Sequence, residues 1–572
     1  MDLDLTRWKR DWALMSSFFS ASEITEIADR LKGLKISNLV FCSFENRFAR
    51  SGGLASVTTN ILPYFKEVSM IPVVILLTPY YLNISHRGKL KPVTSCNVRY
   101  HNKNNTVDIY EYTWKYTSPQ KGRLKEYFLK CEGFFDSKNR MNDPYLYDES
   151  SDILNDRRLV ENALFFSRAV PIALNALGIT KDIVFHLQEW QTALIALTAK
   201  EAMLNGTLYS CGTAQTMHNS YDASIPWDML KRAVDDKRKK LISQFPGESL
   251  TAYQVSLQLV DAPITTVSSH FASEFTSDTL QTEHFAPHLQ NLFRKNGVYG
   301  VNNGVFSSVS AYPSSKQYSL EDIKEMKAQK RRSLLRLLAS YKPSERFGDL
   351  SYQGRSIAKL PDNVPVFVMS GRLDPLQKGY DILLRALERF TEDEIKVVLT
   401  PLPLHQSDLD YFYEIACKCK GNVTVYPIKM ERGYRQLQTG STYGIMPSIY
   451  EPFGAAVEYM ANGTVIIARA TGGLVDQVDR KCGFLYREDA IFYTLENIQA
   501  YIESDDIVQG RKNNPWVLSM SDNLHDVLKK ASNLYRNNED AYYRLILNGF
   551  SKVKKFNWRD SVNRYRQVFD KI

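Results

Sequence analysis

Cysteine is scarce in this chain: seven residues in 572, an odd number at wide spacing. That excludes a disulfide framework and fits a reducing compartment. The one close pair, Cys417 and Cys419, is C-x-C with no second pair at zinc spacing, so it reads as two ordinary thiols. Long apolar runs are also missing. The longest, Ile71 to Ile84, is too short to cross a bilayer and contains Pro72 and Pro79. The opening MDLDLTRWKRDW mixes both charges and lacks the apolar region of a signal peptide, so the expected location is the cytoplasm. Nor does one sign of charge dominate. The balance of 72 basic and 63 acidic residues gives +9, which helps attract anions. It lacks the single-face clustering that nucleic acid requires. The densest run, Lys231 to Lys240, is interrupted by Asp235 and Asp236 and reads as a solvated helical face.

What is present fits a globular protein, with 44% apolar and 24% charged residues. Single cores stop growing near roughly 250–300 residues, so two large domains are expected. The 33 tyrosines suit sugar surfaces, because a ring covers C–H groups while its hydroxyl bonds to hydroxyls. A compositional bias of core and surface accounts for them better.

Residues from about 5 to 34 read as a helical extension. A short β-rich run, Asn38 to Phe44, then leads into the turn Arg50-Ser51-Gly52-Gly53-Leu54 and a helix over Ala55 to Phe65. Strands are expected at Val73–Leu77, Val184–Leu187, Cys211–Met217 and Ile264–Ser268, with a helix over Trp190–Leu204. Residues 100–160 read as an irregular excursion. A Ser/Pro/Tyr-rich stretch over 310–320 reads as a linker, followed by a basic helix from Leu320 to Tyr341. A second set of strands begins at Val364–Met369 and continues at Lys396–Thr400, Val423–Tyr426, Tyr443–Met446 and Val465–Ala468. Alternating strands and helices give an α/β chain of two doubly wound, Rossmann-like domains, whose ligands bind at the carboxyl ends of the strands. The expected division is an extension over 1–35, a first domain over 36–309, a second over 310–555, and a C-terminal helix over 556–572 that returns to the first domain.

Three glycine turns follow strands in this reading. Glu451-Pro452-Phe453-Gly454-Ala455 and Thr471-Gly472-Gly473 each precede a helix, where peptide N–H groups and the helix dipole favour anionic oxygens. A carboxylate such as Glu451 can also accept bonds from sugar hydroxyls, although a plain helix start would give the same pattern. Arg372 and Lys378, flanked by Gly371 and Gly379, supply fixed cations for a departing diphosphate; a pair of solvated loop cations is the alternative. Gly52 and Gly53 form the third turn, beside Arg50. His218 and Asn219 sit directly after a strand, where a polar pair faces a ligand.

These segments, taken together, resemble the bacterial glycogen synthase and starch synthase family of GT-B glycosyltransferases. FENRFARSGGLASV is similar to the family's Lys-x-Gly-Gly-Leu opening, HLQEWQTALIAL to its His-x-His-Asp-Trp segment, and TMHNSYDASIP to its Thr-x-His-Asn loop. TVSSHFASE, VNNGV, GRLDPLQKGYDILLRAL and MPSIYEPFGAAVEYMANGTVIIARATGGLVDQV follow in the family's order, over roughly residues 38 to 480. The resemblance implies a retaining transfer of glucose from a nucleotide-glucose (ADP-glucose or UDP-glucose) to the non-reducing end of an α-glucan. It implies no metal and no cofactor beyond the donor. By position, Arg372 and Lys378 would bind the diphosphate and Glu451 the donor sugar. Arg50, Gly52, Gly53, Phe453, Gly454, Ala455, Thr471, Gly472 and Gly473 would surround the donor. Glu189, Asn219 and Asn303 would lie on the acceptor or sugar side, and His218 beside the reacting sugar.

The chain also departs from the pattern. Arg50 replaces the family Lys, Glu189 an Asp, Gln188 the second His, and Phe453 a common Cys; Tyr221-Asp222-Ala223 replaces a Tyr-Gln-Gly, and Phe306 an Asp. An extra residue lies around Pro375. Such changes leave open a different nucleotide-sugar, or a surface polysaccharide or protein as acceptor. An inactive glycan-binding or scaffold homologue is a further alternative, from a different functional class.

Overall fold

The computed structural model describes residues 3–572 apart from 7, 51, 82–88, 136–156, 246, 307–311, 313–315, 342–356, 358–359, 392–393, 403–415, 420, 427–432 and 505–509. Ser51, the SKNRMNDP stretch and part of the expected 310–320 linker therefore lie outside the described residues. The chain divides into two compact units. The first holds Met1–Val267, Phe275–Phe306 and Trp558–Ile572; the second holds Ser268–Glu274 and Ser307–Asn557. The short segment 268–274, which the sequence division put in the first domain, thus packs with the second.

The first unit is built on strands β1 (Asn38–Cys42), β2 (Val73–Pro79), β3 (Lys91–Tyr100), β4 (Lys103–Tyr116), β5 (Gly122–Lys130), β6 (Ile183–Gln188), β7 (Cys211–Met217), β10 (Thr265–Thr266) and β11 (Tyr299–Gly300). The ribbon β8 (Ser224–Pro226) and β9 (Ser249–Thr251) stands apart from this sheet. The sheet runs β11-β10-β7-β6-β1-β2-β5-β4-β3 and is parallel from β11 to β5. Strands β6 and β7 are buried along their whole length, as parallel strands covered on both faces must be. The chain order reverses between β1 and β6, so the loops leaving these two neighbours diverge to opposite faces. Ligands of open α/β sheets bind at such a switch point.

Residues 100–130, expected to be irregular, are instead the long antiparallel strands β4 and β5 with the end of β3. Two features hid them. The β3–β4 connection is the two-residue turn His101-Asn102, with φ of 48° and 61°, a geometry usually announced by glycine. Along β4 the buried side also changes, from Val107 and Ile109 to Trp114 and Tyr116, so no single alternation runs through the strand. The N-terminal extension is less helical than expected: a 3-10 turn covers Trp12–Ser17, and the α-helix is confined to Ala21–Lys32, where Ser20 and Glu23 form a capping box.

The second unit contains β12 (Val366–Arg372), β13 (Lys396–Leu402), β14 (Val423–Val425), β15 (Tyr443–Met446), β16 (Val465–Arg469) and β17 (Gly483–Tyr486). Its sheet is parallel in the order β14-β13-β12-β15-β16-β17, with the switch point between β12 and β15. The last helix, Trp558–Phe569, belongs to the first unit. Its Trp558, Val562, Tyr565 and Phe569 join the core there. Phe569 stacks on Phe65 at 6.0 Å and Tyr565 lies 4.7 Å from the His186 ring. Gly304 meets this helix so closely that a Cβ would lie 2.6 Å from Trp558 N. Truncating Phe569 to Ala should therefore cost about 3–5 kcal/mol of stability in denaturant unfolding; a midpoint equal to wild type would show that the helix does not complete this core.

Candidate active site

Because β12 and β15 are hydrogen-bonded neighbours, the loops that leave them emerge side by side. The first carries Arg372 and Lys378, the second Glu451. Lys378 Nζ lies 2.7 Å from Glu451 Oε2, joining side chains 73 residues apart in sequence. Ser448 Oγ donates to the same carboxylate oxygen at 3.0 Å. Arg372 Nη2 donates to Gln377 Oε1 at 3.2 Å and keeps 44% of its side chain exposed, so its guanidinium remains accessible to an anion. The two loops are sewn together through the backbone: Ile449 N donates to Gln377 O at 2.8 Å and Gln377 Nε2 to Tyr450 O at 3.4 Å. Gly379 makes the contact possible. Its φ is +65°, and a Cβ there would sit 2.2 Å from the Pro447 carbonyl oxygen.

The Thr471-Gly472-Gly473 turn, leaving β16, differs from the expected phosphate cradle. Gly472 N donates to the buried carboxylate of Glu274 at 2.7 Å, and Gly473 N donates to Glu451 O at 2.9 Å. Both amides are thus engaged by the protein's own acceptors. The turn serves instead to press against Glu451: with φ +47°, Gly472 comes so near that a Cβ would lie 2.0 Å from Glu451 O. Phe453 is buried against Phe556. The amides of Gly454 and Ala455 donate to no protein acceptor among the described residues.

In the first unit, the turn at Gly52 and Gly53 shows the same arrangement. Buried Glu45 accepts from Gly52 N at 3.0 Å and Ala55 N at 3.2 Å, so its carboxylate caps the helix Leu54–Val68. Arg50 is exposed, its Nε bonded to Arg47 O at 3.2 Å. At the ends of β6 and β7 a polar group assembles. His218 Nε2 is 2.8 Å from Gln188 Oε1. That oxygen can only accept, so Nε2 carries the ring proton and Nδ1 is left as an acceptor. Burial pushes the His218 pKa down to about 3, which keeps the ring neutral at physiological pH.

Glu189 follows β6 with φ +63°, a strained conformation for a residue with a side chain. Its Oε1 accepts from Asn219 Nδ2 at 3.2 Å and its Oε2 from Tyr253 Oη at 3.3 Å. Burial raises its pKa to about 8 against the Tyr253 hydrogen bond, which opposes the shift. Asn303 is buried after β11, three strands from β6, and joins none of these hydrogen bonds.

Sequence reasoning missed Glu45, Glu274, Gln188 and Tyr253 as partners in these clusters. Glu45 stands seven residues before Gly52, outside any capping-box spacing, and Glu274 reaches its turn across 198 residues. Only Gln188 carried a signal, as the residue standing where the family pattern has its second His.

Each unit is Rossmann-like and gathers polar side chains at the carboxyl ends of its parallel strands, an arrangement that fits a GT-B glycosyltransferase. Residues 38–295 match the family described as "Starch synthase catalytic domain", and residues 354–509 match "Glycosyl transferases group 1". The chain is 27% identical to a glycogen synthase of Alkaliphilus metalliredigens over 75% of this chain and 83% of that protein. It is 25% identical to the glycogen synthase of Thermosipho melanesiensis over 92% and 96% of the two chains. The fold is similar to the catalytic domain of starch synthase IV from Arabidopsis thaliana, with a TM-score of 0.68 at 19% identity, covering 94% of this chain and 99% of that one. Along both units the chain is thus similar to the glycogen synthases and starch synthases. Among the described residues no helix is long and apolar enough to cross a membrane.

The raised pKa of Glu189 has a measurable consequence. The native chain keeps this proton between about pH 4.5 and 8, a window in which the unfolded chain has already lost it. Its contribution to stability therefore falls as pH rises through that window. The stability of Glu189→Gln relative to wild type should improve steadily from pH 5 to pH 8 in denaturant titrations. A difference that does not change with pH would contradict the buried, protonated carboxyl.

Proposed function

We propose that the chain transfers glucose from ADP-glucose or UDP-glucose to the non-reducing end of an α-glucan, with retention at the anomeric carbon. The observation that carries this reading is the Lys378–Glu451 contact at the β12/β15 switch point, with the exposed Arg372 beside it. The names of the relatives support the substrate class, and the starch synthase IV domain was solved bound to ADP and acarbose.

In this mechanism the bond from C1 of glucose to the diphosphate oxygen breaks, and negative charge grows on that oxygen. Lys378 and Arg372 are fixed charges that stabilise it without having to reorganise as the bond breaks. Glu451 holds Lys378 in place and accepts from donor-sugar hydroxyls, while the Gly454 and Ala455 amides face the sugar and phosphate oxygens. The acceptor hydroxyl approaches on the face that the diphosphate leaves. It forms the new bond to C1 and passes its proton to the departing diphosphate, so no enzyme nucleophile is needed. His218, held neutral, presents its carbonyl or ring to the developing positive charge on the sugar without adding a repelling cation. Glu189 and Asn219 sit beside it on the acceptor side. Cationic side chains supply the charge that a metal ion would otherwise provide.

Release of nucleoside diphosphate from a panel of nucleotide-sugars, with and without maltooligosaccharide, tests the assignment. Acceptor-dependent release from a glucose donor is expected; release only from a non-glucose donor would redirect it, and no release from any donor would indicate a scaffold protein. Lys378→Ala should lower kcat by about 10²–10³-fold with little change in thermal midpoint. Near-normal turnover would remove Lys378 from the mechanism. Turnover should also survive chelator treatment, whereas a strict requirement for a divalent ion would contradict a metal-free transfer.

A further inference from the structure

The loop between Arg372 and Lys378 is held from a second side, by groups far from it in sequence. Pro375 stands midway, three residues from each cation. Its carbonyl oxygen accepts from Tyr501 Oη at 2.8 Å and from Arg511 Nη1 at 2.8 Å, which uses both lone pairs. Arg511 is fixed in turn. Its side chain is 1% exposed, its Nε donates to Tyr501 O at 3.0 Å, and Nη1 lies 3.6 Å from Asp381 Oδ2. Its guanidinium also stacks 3.7 Å over the Tyr501 ring. Tyr501 lies in the last turn of the helix Leu495–Ile502 on its buried face, and Asp381 lies in the first turn of the helix that follows Lys378. A buried hydroxyl and a buried guanidinium, the latter beside the buried Asp381 carboxylate, therefore converge on one backbone oxygen of a loop that carries two cations.

The rest of the loop makes the consequence specific. Asp374 Oδ1 accepts from Leu376 N and Gln377 N, both at 3.1 Å, and Lys378 N donates to Asp374 O at 2.9 Å. The residues from Asp374 to Lys378 thus form one hydrogen-bonded turn. Its side toward Glu451 is tied through Gln377, and its opposite side is tied only through Pro375 among the described residues. A shift at Pro375 would be carried into Lys378 and Arg372 together.

We infer that Tyr501 and Arg511 are positioning residues that set the diphosphate-binding geometry of Arg372 and Lys378 through the Pro375 carbonyl. This rests on the site reading above and adds to it a specific means of support from the helix Leu495–Ile502 and the residue Arg511. Burial raises the Tyr501 pKa well above the usual phenol range, so its hydroxyl stays protonated and acts as a donor throughout the working pH range.

Tyr501→Phe in the full chain removes one hydrogen bond to Pro375 and keeps the ring under Arg511. ADP and UDP are used as product inhibitors, with maltooligosaccharide as acceptor, and the thermal midpoint is recorded in parallel. The inhibition constant of the nucleoside diphosphate should rise about three- to tenfold, the loss of one neutral hydrogen bond. The acceptor KM should stay within about twofold of wild type, because the braced loop carries the cations assigned to the donor's diphosphate. In the Lys378→Ala background the same substitution should have a smaller effect, since the two act through one loop. Unchanged nucleotide affinity in Tyr501→Phe, while Lys378→Ala weakens it, would overturn the inference and leave the site reading standing. Full additivity of the two substitutions, or a parallel shift of every kinetic constant with a lowered midpoint, would also overturn it by assigning Tyr501 a purely structural role. If Lys378→Ala itself leaves nucleotide affinity unchanged, the site reading fails, and the inference with it.

Discussion

The contact between Lys378 and Glu451 is the constraint on which the second unit's site depends. It exists because β12 and β15 are adjacent in the sheet although two strands, β13 and β14, intervene in the chain. Parallel neighbours release their loops at the same end of the sheet. The loop after β12 is pressed onto the loop after β15 at Gly379 and Pro447, where a side chain has no room. Without that approach the cations and the carboxylate would belong to separate surfaces. Strand order, one glycine and one ion pair thus form a single chain of cause.

A second theme is the use of buried glutamates to satisfy glycine turns. Buried N–H groups need acceptors, and in both units a carboxylate supplies them: Glu45 for Gly52 and Ala55, Glu274 for Gly472. These turns therefore act as rigid supports. The groups that remain oriented outward are side chains, chiefly Arg372 and Lys378, together with the amides of Gly454 and Ala455.

The alternation of strands and helices was legible because interior parallel strands are short, β-branched and bounded by turns. Val366–Arg372, Val465–Arg469 and Cys211–Met217 stand close to where the residues alone put them. The β3–β4–β5 excursion was not legible, since its turn lacks glycine and its buried side changes midway. At the site, Arg372, Lys378 and Glu451 could be named from local sequence because each adjoins a glycine turn at a strand end. Glu274 and Tyr253 could not, because their roles arise from contacts formed across long stretches of chain. Asn303 shows the converse: its segment has the expected place in the order, yet its side chain lies three strands from β6 and outside the polar cluster.

The proposed transfer requires a donor's pyrophosphate to bind to the loop between β12 and the helix beginning at Tyr380, next to Glu451. A crystal structure with ADP or UDP bound tests it most directly. Phosphate oxygens within hydrogen-bonding distance of Lys378 Nζ and the Arg372 guanidinium are the outcome the account requires. A nucleotide seated elsewhere, with both cations left in solvent, would contradict it.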